Sequence, residues 1–116
     1  MRRDEVKKLE KLRNALDDLQ KFVYYFSGGD LPYFYRMLDY MKNNIEIYLM
    51  IQSEDLIGLE EVLYRDWYEA NHMIYGIATF EISNKVCGES IELYHQYARL
   101  VQEVADYFVT QEKNIL

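Results

Sequence analysis

Apolar residues recur every three or four positions along most of the chain, and this spacing predicts helices. The first stripe alternates steps of three and four without interruption, which is typical of a narrow helical seam. It consists of Leu9, Leu12, Leu16, Leu19, Val23 and Phe26. Ser27-Gly28-Gly29 follows this stripe. Because glycine readily adopts the left-handed conformation that ends a helix, the first helix is predicted to end there.

A second helix is predicted after Asp30, which is a suitable N-cap, with Pro32 in its first turn. Its stripe again advances by four and three residues. It consists of Phe34, Leu38, Met41, Ile45 and Tyr48. The acidic run Ser53-Glu54-Asp55 then indicates the cap of a third helix.

Two longer helices complete the pattern. The third stripe comprises Leu56, Leu59, Leu63, Trp67, Ala70, Ile74 and Ile77, and the fourth comprises Tyr94, Tyr97, Ala98, Val101, Ala105 and Phe108. A tight connection is predicted over residues 83–88. The predicted helices therefore cover about 4–27, 31–52, 54–83 and 89–114. Joined by short connections, they predict an all-α protein, an antiparallel up-down four-helix bundle formed by one domain over residues 1–116.

Composition narrows the class of protein further. The lone Cys87 has no partner for a disulfide, and no apolar run reaches the roughly 20 residues of a membrane span, so a cytoplasmic protein is expected. The net charge is −7, although the first 13 residues carry +3. The rest of the chain therefore repels phosphate backbones, which disfavours nucleic-acid binding except locally at the basic first helix.

Tyrosine is unusually abundant, with 12 residues. A core of this size does not need so many hydroxyl-bearing rings, so some are expected at an interface with a protein partner. The outward face of the predicted third helix offers such a surface, formed by Tyr64, Arg65, Tyr68, His72, Tyr75 and Thr79. We therefore expect a regulatory or inhibitory interaction module that needs no cofactor. A homodimer through helix 1 or helix 3 is also expected.

Two Glu-x-x-His pairs provide an alternative: Glu69 with His72, and Glu92 with His95. Residues three apart share a helix face, and these tetrapeptides resemble the metal-binding motifs of ferritin-like di-iron bundles. That resemblance implies a carboxylate-bridged metal pair. The sequence departs from the family pattern, because the motifs fall on helices three and four and His72 is predicted to point away from the core.

The segment from Arg65 to His72 provides another alternative. An Arg and a His separated by six residues resemble the catalytic motif of the HEPN ribonucleases. That resemblance implies that Arg65 and His72 cleave RNA together at a dimer interface. On a continuous helix the two side chains would project from one face about 10 Å apart. The preference for an interaction module depends on that continuity, because a helix break near residue 70 would favour the metal site.

Overall fold

The computed structural model describes residues 3–82 and 91–115, with side chains described through Val109. Helices make up most of these residues and pack against one another, which confirms the all-α four-helix bundle. They are α1 (Arg3–Phe26), α2 (Phe34–Met50), α3 (Leu56–Ala70) and α4 (Ile91–Ile115), with a short 3₁₀ helix over Ile77–Thr79. The predicted connection over 83–88 and the predicted start of the fourth helix at residue 89 lie outside the described residues.

Neighbouring helices run antiparallel. Gln20 on α1 donates to Asp39 on α2 over 3.1 Å, whereas Asp17, three residues earlier on α1, accepts from Lys42, three residues later on α2, over 3.2 Å. The close backbone contacts place α1 between α2 and α4, and α2 between α1 and α3. The connections from α1 to α2 and from α2 to α3 are short, and they give these three helices an up-down order.

The apolar stripe of α1 is buried inside its own chain. All but one of its members are nearly inaccessible to solvent, and they pack with the predicted stripe of α2 into one core. Only Phe26, at the end of the helix, is half-buried. The apolar stripe of α1 is therefore not available to a second copy. The other predicted self-association surface, in the region of the third helix, remains.

The two predicted helix starts have different outcomes. The capping segment Ser53-Glu54-Asp55 is confirmed, because Asp55 is the N-cap of α3 and its Oδ1 accepts from the Gly58 N–H over 3.0 Å. The helix begins at Leu56, however, two residues later than predicted. The predicted cap at Asp30 is wrong, because α2 begins only at Phe34. The backbone N–H of Tyr35 donates to the Pro32 carbonyl, so the residues before α2 form a turn that fixes the helix entry.

The largest correction concerns the third helix, which was predicted to run from 54 to 83 but ends at Ala70. Asn71 ends it, because both its backbone N–H and its side-chain Nδ2 donate to the Trp67 carbonyl, the latter over 2.8 Å. The Gly76 N–H then donates to the His72 carbonyl oxygen over 2.8 Å. A Cβ on residue 76 would collide with the His72 backbone, so this turn requires glycine.

Residues 77–82 are held by two tyrosines of α4. The Tyr97 hydroxyl donates to the Ile77 carbonyl over 2.8 Å, and the Tyr94 hydroxyl accepts from the Ile82 N–H over 3.1 Å. The buried Tyr97 ring also packs against Phe80.

The predicted stripe of the fourth helix is correct for Tyr97 but not for Tyr94, which is more than one-third exposed. The same stripe is wrong for Ala98, which is exposed, and correct for Phe108, whereas the buried Val104 was missed.

Large rings fill the space between α3 and α4. Trp67 lies parallel to Phe108 at 5.3 Å between ring centroids, and the Tyr64 hydroxyl donates to the Phe108 carbonyl over 3.2 Å. Tyr64 was predicted to belong to a partner surface, but it contributes to this internal seam.

Nowhere in residues 3–82 or 91–115 is there a helix with the length and apolarity needed to cross a membrane.

Replacing Tyr97 by Phe tests the attachment of residues 77–82. The variant keeps the ring but removes the shorter of the two hydrogen bonds that the Ile77 carbonyl accepts, leaving only the one from the Phe80 N–H over 3.3 Å, so we expect the free energy of unfolding to fall by about 1 kcal/mol. Urea titration followed by circular dichroism measures this change. The exposed Tyr25 provides the control, and Tyr25→Phe should change the same quantity by less than about 0.5 kcal/mol. Equal changes in the free energy of unfolding for the two variants would contradict the stabilising role of the hydrogen bond from Tyr97 to Ile77.

Stability should also fall at alkaline pH. Burial raises the pKa of Tyr97 and of Tyr107 well above the ordinary value of tyrosine. The folded protein therefore keeps protons that the unfolded chain releases above about pH 10, so this stabilisation is complete below pH 10 and is lost as the pH rises further. Urea midpoints between about pH 8 and pH 11 measure the decline. The decline should be smaller for Tyr97→Phe. If the urea midpoint falls equally with pH in the variant and the wild type, the prediction is contradicted.

Candidate functional site

The predicted site residues do not share one helix face, because α3 ends before three of them. Tyr64, Arg65 and Tyr68 lie on α3, whereas His72 and Tyr75 belong to the turn beyond it and Thr79 to the 3₁₀ helix. Thr79 is exposed, and its hydroxyl donates to the Gly76 carbonyl over 2.7 Å. The prediction of a continuous outward face on helix 3 is therefore wrong.

The turn instead gathers a group of rings and a carboxylate. The His72 imidazole stacks on the Tyr75 ring at 3.8 Å between centroids, and Tyr75 meets the Tyr33 ring edge to face at 5.0 Å. The Tyr75 hydroxyl donates to Glu69 over 3.0 Å. This hydrogen bond is the main cause that raises the pKa of Tyr75, which keeps the hydroxyl a neutral donor. The group joins the end of α3 to the start of α2.

The hydrogen bonding of His72 defines the tautomer of its neutral form. The backbone N–H of Ile74 donates to Nδ1 over 3.1 Å, so Nδ1 holds the lone pair and Nε2 carries the proton. In this arrangement Nδ1 is the nitrogen that the turn's backbone engages. The imidazole is therefore suited to packing and hydrogen bonding in the turn.

Arg65 lies beside a buried acid. Its Nε is 3.3 Å from Asp66 Oδ1, and the Asp66 side chain is nearly inaccessible while Arg65 is mostly exposed. Asp66 Oδ2 has no hydrogen-bond partner in the described part of the protein. The guanidinium is thus held at the protein surface by a carboxylate within the bundle, with its remaining donors directed to the exterior.

The most exposed side chains of this region are apolar or aromatic. Met73 is 91% exposed, Tyr68 82% and Ile74 78%. Tyr75, which follows Ile74 in the chain, is also exposed and contacts the exposed Tyr33 ring. We call these five residues the tyrosine surface. The sequence prediction missed Tyr33 and Met73, and it placed Ile74 in the core. Asn71 and Gly76 were the available signals, because both residues favour helix ends.

The two side chains proposed for ribonuclease chemistry are not brought together. Arg65 contacts Asp66, whereas His72 contacts the Ile74 N–H and the Tyr75 ring. No hydrogen bond joins these two described residues. The predicted common helix face of Arg65 and His72 is therefore wrong, because His72 lies beyond the helix end.

The helix break near residue 70 makes the metal alternative relevant again. Within residues 3–82 and 91–115, no three His, Cys, Asp or Glu side chains lie close enough together to hold a metal ion. The Glu69 carboxylate accepts from Tyr75, while Glu92 and His95 are exposed on α4. The four residues Glu69, His72, Glu92 and His95 therefore do not assemble a shared metal centre.

Comparison of the chain with protein-family models, with curated proteins and with solved structures finds no match.

Substituting Gly76 by Ala distinguishes the observed turn from a continuous helix. Because the added Cβ collides with the His72 backbone, we expect the free energy of unfolding to fall by about 1–3 kcal/mol. In a continuous helix the same change would stabilise the protein by about 1 kcal/mol. Chemical denaturation shows whether the free energy of unfolding falls or rises. Ala78→Ser also adds one heavy atom, but at an exposed position nearby, and should be nearly neutral.

Proposed function

We propose that the protein is a small interaction module, regulatory or inhibitory in role, that works as a homodimer joined through the tyrosine surface. The observation that carries this proposal is the exposure of Met73 and Ile74 beside the aromatic side chains of Tyr33, Tyr68 and Tyr75. Contiguous apolar side chains of this size on a protein surface are typical of binding sites. Tyrosine is also favoured at interfaces, because it buries a large area and keeps a hydrogen-bonding tip.

The charges around the tyrosine surface favour a second copy as the occupant. Tyr33 lies between Asp30 and Arg36 in the sequence, and Tyr68 is flanked by Arg65 and Glu69. Tyr33 and Tyr68 therefore each have an acidic and a basic residue close by in the sequence, while Tyr75 contacts Glu69. A two-fold contact brings the same surface of both copies together, so acids of one copy can face bases of the other.

The turn at residues 72–75 is suited to such a contact. The bond from Ile74 N–H to His72, the stacking of His72 on Tyr75 and the bond from Tyr75 to Glu69 hold its shape before binding. A pre-formed surface loses little conformational entropy when it binds. Burial of Met73 and Ile74 from both copies supplies the apolar contribution, at about 1.5–3 kcal/mol for each fully buried side chain.

The double variant Met73→Ser with Ile74→Ser tests the dimer. Both side chains are exposed, so we expect the fold to persist while the dimer dissociation constant rises by at least about tenfold. Sedimentation equilibrium of the 14.0 kDa chain measures this constant. Circular dichroism checks that helicity is unchanged.

The matched control is Met50→Ser with Ile57→Ser, which removes equally exposed apolar side chains at the α2–α3 connection. This control should leave the dimer constant unchanged. A wild-type protein that stays monomeric at high concentration would contradict the proposed homodimer. Equal weakening by both double variants would place the dimer contact elsewhere.

A further inference from the structure

A second apolar surface lies where α2 and α3 are connected, at the end of the bundle away from the tyrosine surface. Four exposed aliphatic side chains define it, and we call them the turn surface: Ile47, Met50, Ile51 and Ile57. Met50 and Ile57 are each 76% exposed. The 17 residues of α2 separate the two surfaces by about 25 Å, so one contact does not cover both.

The segment that carries the turn surface has acidic residues and no basic ones. Residues 46–61 contain five acidic residues and no Lys or Arg: Glu46, Glu54, Asp55, Glu60 and Glu61. The tyrosine surface, in contrast, has neighbours of both signs. Like charges on two facing copies repel each other, so this end of the bundle disfavours a two-fold contact with itself.

The basic start of α1 lies beside these acids but does not neutralise them. Burial raises the pKa of Glu60, and the neighbouring Glu5 carboxylate raises it further against the opposing influence of Lys8. Burial also raises the pKa of Tyr48, and four carboxylates of this region contribute in the same direction. Both groups therefore experience a negative potential at this end of the bundle.

A cavity of about 460 Å³ adjoins the α2–α3 connection. Val6 of α1 and Leu49 of α2 give it an apolar lining, and Glu10, Gln52 and Glu54 give it polar groups. The connection that frames it is well defined, because the Ser53 N–H donates to the Tyr48 carbonyl over 3.1 Å. An apolar side chain flanked by a cation fits this combination of groups.

From the exposed aliphatic side chains and the acidic residues of 46–61, we propose that the turn surface binds a basic amphipathic helix of a partner protein. The cavity is lined by other residues and is not needed for this contact. The apolar side of that helix covers Ile47, Ile51 and Ile57, and its Lys and Arg residues pair with the surrounding carboxylates. This is the arrangement of an amphipathic helix bound to a hydrophobic surface with complementary charge. The proposal does not depend on the homodimer, which would present two such surfaces.

A labelled synthetic helix of Leu and Lys, about 18 residues or five turns long, provides the probe. Fluorescence anisotropy measures its dissociation constant for the full-length wild-type protein. We expect a scrambled peptide of the same composition, which lacks the apolar stripe, to bind at least about tenfold more weakly. Affinity for the amphipathic peptide should fall between about 50 mM and about 200 mM salt, since the charged contacts are exposed to solvent.

Two double variants test whether the peptide binds at the turn surface. Ile47→Ser with Ile57→Ser should weaken binding by about tenfold, and Glu54→Gln with Glu61→Gln should weaken it and reduce its salt dependence. The matched control, Met73→Ser with Ile74→Ser on the tyrosine surface, should bind the peptide like the wild type even where it abolishes the dimer.

Three outcomes would overturn the proposal. Equal binding of the scrambled peptide would show a non-specific attraction to an acidic protein, and unchanged binding by the isoleucine variant would place the peptide elsewhere. A lower mass of the unliganded Ile47→Ser, Ile57→Ser protein in sedimentation would make a second copy the occupant. A failure of the proposed homodimer can be told apart from a failure of peptide binding, because the dimer dissociation constant is measured without peptide.

Discussion

The hydrogen bond from the Tyr97 hydroxyl to the Ile77 carbonyl links the part of the chain that leaves α3 to the bundle. Tyr97 is buried, and burial keeps its hydroxyl protonated and therefore a donor. Its ring also packs between Phe22 of α1 and Phe80 of the attached segment. One side chain thus connects three parts of the chain, and the turn that displays Met73 and Ile74 is held between this attachment and the end of α3.

The ending of α3 at Ala70 also determines how the bundle is closed. A helix continuing to residue 83 would have placed Ile74 and Ile77 on one internal stripe. In the observed turn Ile77 is buried, but Ile74 is exposed. The contact between α3 and α4 depends instead on aromatic side chains in the second half of α3, where Trp67 lies parallel to Phe108. The abundance of tyrosine therefore has two origins, internal seams as well as the protein surface.

Helical periodicity predicts α1 and α2 well, because their stripes are regular and both helices end near a recognisable turn. The Asp55 cap was also predictable from its position and chemistry. The end of α3 was missed because Ile74 and Ile77 continue the spacing of the stripe beyond Ala70. Periodicity does not distinguish a helix from a turn that happens to place an apolar residue at the next position, and the local signals at Asn71 and Gly76 are weaker than a seven-member stripe. The candidate site was predicted only in part for the same reason.

The two exposed apolar surfaces differ in the sign pattern of their charges, and this difference has a physical consequence for assembly. Apolar burial is non-directional, so exposed Ile and Met side chains alone do not select between a second copy and a foreign helix. Charge makes that selection, because like charges facing each other across an interface disfavour a partner. Mixed charges near Tyr33 and Tyr68 in the sequence are compatible with self-association, whereas the five carboxylates of residues 46–61 favour the cationic partner that we propose. The two surfaces therefore suit the different occupants that we propose for them, a second copy at the tyrosine surface and a basic helix at the turn surface.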